Sequence, residues 1–274
     1  MPLYLQSNTS ALVAENYFNQ SQASIQNSFT QLSSGYRINS AADDAAGLGI
    51  SMSINAQVQS YTVASQNAND AISMVQTADG SANQIDSLLT RMRELAVEAQ
   101  NGTMSANDVT NLGTEFNQDL SEIDRVAGDA TFNGTSLLSG ATNSVAFQVG
   151  INGTTNDQIA VTFGGCDTSN LGLVPGGTTV TVTSANILTT IDTAMQTLDN
   201  NRAGYGAAMN RLQDASSQIT STQTNLSSAL SAIEDVNVAS ATADLAREQV
   251  LAQAGASVLS QANQAPQLAE KLLQ

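Results

Sequence analysis

Residues 191–233, IDTAMQTLDNNRAGYGAAMNRLQDASSQITSTQTNLSSALSAI, decide the fold. Ile191, Met195, Leu198, Arg202, Tyr205, Met209, Leu212, Ser216, Ile219, Gln223, Leu226, Leu230 and Ile233 follow one another in alternating steps of four and three. That rhythm lasts about six heptads, or roughly 60 Å of helix, and is the spacing of a coiled-coil seam. The polar seam residues Arg202, Ser216 and Gln223 lower stability but fix register. Gly204 and Gly206 are a local weakness. Ser184 is expected to open this helix.

Working outward, the same spacing recurs upstream. Ile54, Val58, Tyr61, Ser65, Ala68, Ile72 and Val75, then Ala78, Ala82, Ile85, Leu89, Met92, Ala96 and Ala99, predict a second long helix that slips phase once near Ala78. Ser40 reads as its N-cap, with Asp43 and Asp44 in the first turn, and Asn101-Gly102 as its stop. A shorter helix is expected from Ser105 to Val126, with Leu112, Phe116, Leu120 and Ile123 on one face. Between the long helices, residues 130–183 change character. Val145, Phe147 and Val149, then Ile159, Val161 and Phe163, alternate with period two and predict a β-hairpin. Residues 178–183 are expected to add a strand.

Both ends are helical in pattern and nearly free of charge. Residues 11–32 carry the seam Ala11, Ala14, Phe18, Ser21, Ile25, Ser28 and Leu32, ended by Ser34-Gly35. Near the C-terminus Leu251, Val258, Ala265 and Leu272 recur every seven residues, with Leu245, Ala252 and Leu259 beside them, and Pro266 is expected to kink or end that helix. The nested order predicts a mainly α protein, a long antiparallel helical coiled-coil bundle. Its terminal helices (1–42 and 235–274) pair at one end, a helical rod (43–140 and 184–234) follows, and a small β-rich insert (141–183) lies at the turn-around. Neither terminal stripe buries itself alone, so both are expected to fray in the monomer and fold on assembly.

Composition excludes several functions. The chain has no His, no Trp, one Cys and three Pro among 274 residues. Without imidazole there is no catalytic triad and no His-based acid–base catalysis. Asp43-Asp44 and Glu234-Asp235 lack the spaced oxygens of a calcium loop, and no Gly-rich phosphate loop or Cys/His metal cluster occurs. No enzymatic activity, metal or cofactor is expected. Cys166, alone and without a basic neighbour, reads as a packed or solvated thiol. Net charge is −16, of which −14 lies between residues 43 and 234. That middle repels nucleic acid. No apolar run is long enough to span a membrane, and the first residues do not form a cleavable secretory signal.

Four stretches carry a resemblance: QLSSGYRINSAADDAAGL at 31–48, MRELAVEAQNGT at 92–103, EIDRV at 122–126 with FNG at 132–134, and IEDV at 233–236 through QANQAP at 261–266. With the helices that link them, the chain resembles bacterial flagellin over about residues 1–140 and 185–274. The resemblance implies a structural subunit that homopolymerises into the hollow filament of the flagellum, serves swimming motility, and is secreted unfolded by the flagellar type III system to an extracellular position. Its terminal helices would line the inner tube, with Phe18, Ile25, Leu32, Leu245, Leu251, Val258, Leu259 and Leu272 as assembly contacts. Implied partners are an export chaperone, the filament cap and junction proteins. The flagellin-sensing toll-like receptor of animal hosts would read Arg91, Leu95 and Glu115. Alternatively Arg91 and Glu115 pair across neighbouring helices and Leu95 packs at a subunit contact. Thr154, Thr155, Thr178 and Thr179 are candidate O-glycosylation positions. The rival readings are a hook–filament junction protein and another coiled-coil rod.

Overall fold

The computed structural model describes residues 7–174 and 180–273, with side chains as far as residue 264. It is mainly α. The order is α1 (Thr9–Ser34), α2 (Ala45–Ala99), α3 (Ala106–Asp129), β1 (Thr131–Phe132), β2 (Thr135–Ser136), β3 (Asn143–Gln148), β4 (Gln158–Phe163), α4 (Ile187–Glu234) and α5 (Val238–Leu273). The chain forms two compact units, Met1–Ala56 with Asn225–Gln274, and Gln57–Thr224. The β-rich segment expected as a separate region belongs to the second unit, because its apolar side chains share one core with the helices.

In the unit Gln57–Thr224, α2 and α4 run antiparallel. Arg93 pairs with Asp192, Arg202 with Asp79, and Gln223 donates to Thr62, so partners rise on one helix as they fall on the other. Leu198, Tyr205, Leu212 and Ile219 are buried along α4, facing the buried stripe from Ala64 to Ala96 on α2. The stripe on α2 is wider than a two-stranded seam requires: Ala71, Met74 and Leu95 are buried as well. Arg202 stands 3.2 Å from Asp79 and 3.7 Å from Asp86, a half-buried polar layer in the apolar seam. Such a layer selects one register of two otherwise similar helices.

α3 begins with a capping box. The Ser105 hydroxyl accepts from the Asp108 amide, and the Asp108 carboxylate accepts from the Ser105 amide and hydroxyl. Those donors hold the Asp108 carboxyl below its usual range. The helix buries Phe116, Leu120 and Ile123, as its periodicity predicts, and Val126 and Ala127 with them.

The first hairpin, β1–β2, turns on Asn133 and Gly134, both at positive φ (48° and 78°). Asn-Gly with two left-handed residues matches the twist of the flanking strands. The dipeptide signals a turn in the sequence, but two-residue strands are too short for alternation to reveal. β3 and β4 pair antiparallel with Val145 opposite Val161 and Phe147 opposite Ile159. Alternation is clean on β4, where Ile159, Val161 and Phe163 are buried. After β4 the chain is stitched back onto the helices. The Asp124 carboxylate accepts from the Thr168 amide (2.9 Å) and hydroxyl (3.0 Å), and the Cys166 amide donates to the Leu138 carbonyl (2.7 Å). A Cβ on Gly164 would stand 2.4 Å from the Asn201 side chain, so a larger residue there would push Asn201 off Cys166.

Three boundaries depart from expectation. Residues 180–183 make a turn rather than a strand, closed by the Ser184 amide on the Thr181 carbonyl, and Thr178 and Thr179 lie outside the described residues. α4 begins at Ile187, after that turn has used Ser184. Asp44, not Ser40, caps α2 by accepting from the Gly47 amide at 2.8 Å. Ser40 is unavailable as a cap because its amide and hydroxyl both donate to the Asp43 carboxylate. That carboxylate also takes the Asn39 amide, and these backbone donors lower its pKa. A Cβ on Gly47 would lie 2.4 Å from the Asp44 carboxylate and 2.7 Å from Ile38, so a larger residue there would have to displace the capping carboxylate or the Ile38 side chain.

Candidate assembly surface

Unit Met1–Ala56 with Asn225–Gln274 is built on α1 lying along α5. Each seam position expected on α1 is among the less exposed residues of its turn: Ala14 is buried, and Ala11, Phe18, Ser21, Ile25, Ser28 and Leu32 are half-buried. On α5, Ala241 and Ala252 are buried, and Leu245, Gly255 and Leu259 are half-buried. Small residues at the centre of the contact let the two backbones approach. A Cβ on Gly255 would stand 3.7 Å from Phe18.

The connecting turns are tied together next to this pair. α1 stops at Gly35, whose left-handed φ of 80° suits glycine and whose amide donates to Gln31. Tyr36 and Asp235 then form an antiparallel bridge. The Arg37 amide donates to the Glu234 carbonyl (2.6 Å), and the Val236 amide donates to the Gly35 carbonyl (2.9 Å). The Arg37 guanidinium donates to the Ile233 carbonyl. The stretch 31–48 is thus a set of backbone clamps that sets where α1 leaves and α5 enters.

Pairing covers only one side of each helix. Leu12, Val13, Tyr17 and Phe29 on α1 and Val250, Leu251 and Val258 on α5 remain about half exposed or more. Leu251 and Val258 were expected with the seam, but the seam residues are Leu245, Ala252 and Leu259. A helix presents one of two adjacent stripes to a close neighbour, and Ala252 allows the closer approach. Tyr17, Phe18, Leu251, Gly255 and Val258 line an open apolar groove. The Leu272 side chain lies outside the described residues. Pro266 does not end the helix, which continues to Leu273. The exposed apolar stripe is signalled in the sequence by Val13 and Tyr17, four apart, and by Leu251 and Val258, seven apart.

The second candidate surface lies on α2 and α3. The Arg91 guanidinium holds Glu115 at 2.7 Å and Glu94 at 3.2 Å, and all three side chains are about half exposed. These carboxylates, Glu115 foremost, raise the Arg91 pKa. Asp119, close by, has its pKa raised by burial and by Glu115. Leu95 is fully buried in the core and offers no surface, because α3 covers this part of α2 from a second side. Thr154 and Thr155 are exposed, and the Thr154 hydroxyl donates to Asp157. Cys166 is buried, takes a 3.6 Å contact from the Asn201 amide, and burial pushes its thiol pKa up. Among the described residues no group of three or more His, Cys, Asp or Glu stands together as a metal site, and no helix is long and apolar enough to cross a membrane.

The helices that form these surfaces fall within two family patterns. Residues 5–143 match the bacterial flagellin N-terminal helical region, and residues 188–273 match the bacterial flagellin C-terminal helical region. The chain belongs to the bacterial flagellins. It is 36% identical over 248 residues to a flagellin of Halalkalibacterium halodurans, covering 90% of this chain and 91% of that one. It is 36% identical over 314 residues to a flagellin of Xenorhabdus nematophila, covering the whole of both chains. It is 34% identical over 282 residues to a flagellar filament 33 kDa core protein of Treponema phagedenis, covering 97% of this chain and 98% of that one. In this flagellin the N-terminal match takes in α1, α2, α3 and the first hairpin, and the C-terminal match takes in almost all of α4 and α5. Both faces of the α1–α5 pair therefore lie in the shared regions. Most of the β3–β4 hairpin and the loop after it fall between them.

Proposed function

We propose that this flagellin is a non-catalytic structural subunit whose α1–α5 pair assembles with neighbouring copies into the wall of the flagellar filament. The carrying observation is the apolar stripe left uncovered on a pair of helices, α1 and α5, that carry few charges. Burying such surface between copies stabilises by about 25 cal/mol per Å². The terminal helices fray in the free chain and lock on assembly. Unfolded export through the flagellar type III apparatus, with an export chaperone, cap and junction proteins as partners, belongs to this reading, as does the extracellular position of the product.

Salt-induced polymerisation followed by negative-stain microscopy tests it. Long hollow filaments are expected, with amide exchange across α1 and α5 slowing sharply on polymerisation. Discrete rods or dimers would instead favour a coiled-coil rod, and termini already protected in the free chain would count against folding on assembly. Retention of the chain in cells lacking the export apparatus checks the route.

The exposed Arg91–Glu115 pair supports a second role of the same molecule, recognition by the host flagellin-sensing receptor. Receptor-reporter activation by the chain is expected to fall at least tenfold with Arg91→Ala. Unchanged activation removes this role and leaves the ion pair as a helix–helix contact.

A further inference from the structure

The bonds between Gly35 and Val236 and between Arg37 and Glu234 set the register of the pair where α1 ends and α5 begins, and the opposite end of the pair lies about 25 residues away along each helix. Toward that far end the contact is made largely by small residues, Ala14, Ser21, Ala252 and Gly255, with Phe18 against Gly255, and small residues resist fraying and slippage weakly. One polar contact ties that far end in register. Asn8 is the N-cap of α1, and its Oδ1 accepts from the Ala11 amide at 3.1 Å. Its Nδ2 donates across to the Ala262 carbonyl at 2.8 Å, in a half-buried position. Within an α-helix that carbonyl is bonded by the amide four residues on. In α5 that residue is Pro266, which has no N–H. The helix nevertheless continues to Leu273, so the Ala262 carbonyl is the one acceptor along α5 that the sequence deprives of its helical donor.

We infer that Asn8 and Pro266 act as a coupled register key: proline frees one carbonyl on α5, and the cap residue of α1 takes it. Asn suits the position because it offers an acceptor to its own helix and a donor to its partner at once. Serine, threonine and aspartate cap as well but lack that donor reach. Displacement by one turn in either direction brings the Asn8 amide to a carbonyl already bonded by its own helix. The key thereby fixes how the apolar stripes of α1 and α5 line up lengthwise where the pair meets a neighbouring subunit, much as a single polar seam residue specifies register in a coiled coil. Asn8 is a positioning residue, acting on assembly through the helix pair.

The inference rests on the filament reading and is tested with four full-length chains: the parent, Asn8→Ser, Pro266→Ala and the double variant. Serine keeps a cap acceptor and loses the reach, and alanine returns an amide to the Ala262 carbonyl. The readout is the critical concentration for polymerisation, measured by sedimentation. Asn8→Ser is expected to raise it about fivefold in the parent, the worth of one net hydrogen bond. In the Pro266→Ala background the same change is expected to have less than half that effect. Equal effects in both backgrounds, or none in either, overturn the key while leaving the filament reading intact. A parent chain that forms no filaments overturns the filament reading and the key with it.

Discussion

Replacing Leu251 and Val258 together with aspartate is expected to abolish polymerisation while leaving Gln57–Thr224 folded. Both side chains are about half exposed in the single chain, 48% and 51%, so neither carboxylate need be buried before assembly. Burial against a neighbour is a different matter. An unpaired carboxylate taken out of water costs several kcal/mol, and a filament repeats that cost twice in every subunit. Residues 235–274 offer only Arg247 and Lys271 as compensating charges, and Arg247 is engaged by Asp244. Sedimentation should leave the variant in the supernatant at concentrations where the parent pellets, with the thermal transition of the larger unit unchanged. Filaments at an unchanged critical concentration would mean that this stripe faces water in the assembly.

Tyr205→Ala is expected to destabilise the unit Gln57–Thr224 by about 3–5 kcal/mol, as for other large buried aromatics. The thermal midpoint should fall by roughly 10 °C. Tyr205 is a seam residue of α4 with no exposed surface, and its ring lies 5.7 Å from that of Phe163 at the end of β4. It therefore serves the helix pair and the docking of the hairpin together. Tyr205→Phe should behave differently. The hydroxyl is enclosed, makes no well-formed hydrogen bond among the described residues and has only the Gly164 backbone within reach, and burial raises the phenol pKa so that it stays neutral. Removing a buried polar atom that is poorly bonded is close to neutral. A loss above about 2 kcal/mol on Tyr205→Phe would show that the hydroxyl is bonded in solution.

Much of the architecture is legible because a three-four alternation leaves few ways to arrange a chain. Ile191 to Ile233 and Ile54 to Ala99 are helices for that reason, and Asn101-Gly102 and Ser34-Gly35 end helices where a left-handed or turn conformation is needed. Ser40 misleads because it has the right side chain in the right place, but Asp43 competes for it and wins with three donors. Pro266 misleads in the opposite sense. A proline removes one helical hydrogen bond, which a neighbour can supply from outside, and Asn8 does so from 254 residues away in sequence.

Periodicity determined that this chain is a set of long helices around one short β segment, and composition that its ends are apolar and nearly uncharged and that imidazole chemistry is absent. Only the tertiary structure decided which stripe on each helix is covered. Leu251 with Val258, and Leu245 with Ala252 and Leu259, recur every seven residues within α5, so spacing ranks neither. Contact distance does, because Ala14 and Ser21 on α1 admit the face that carries Ala252 and Gly255 and leave the larger side chains outside. Leu95 makes the same point on α2, where α3 arrives as a second partner and turns a position that one neighbour would leave at the margin into core.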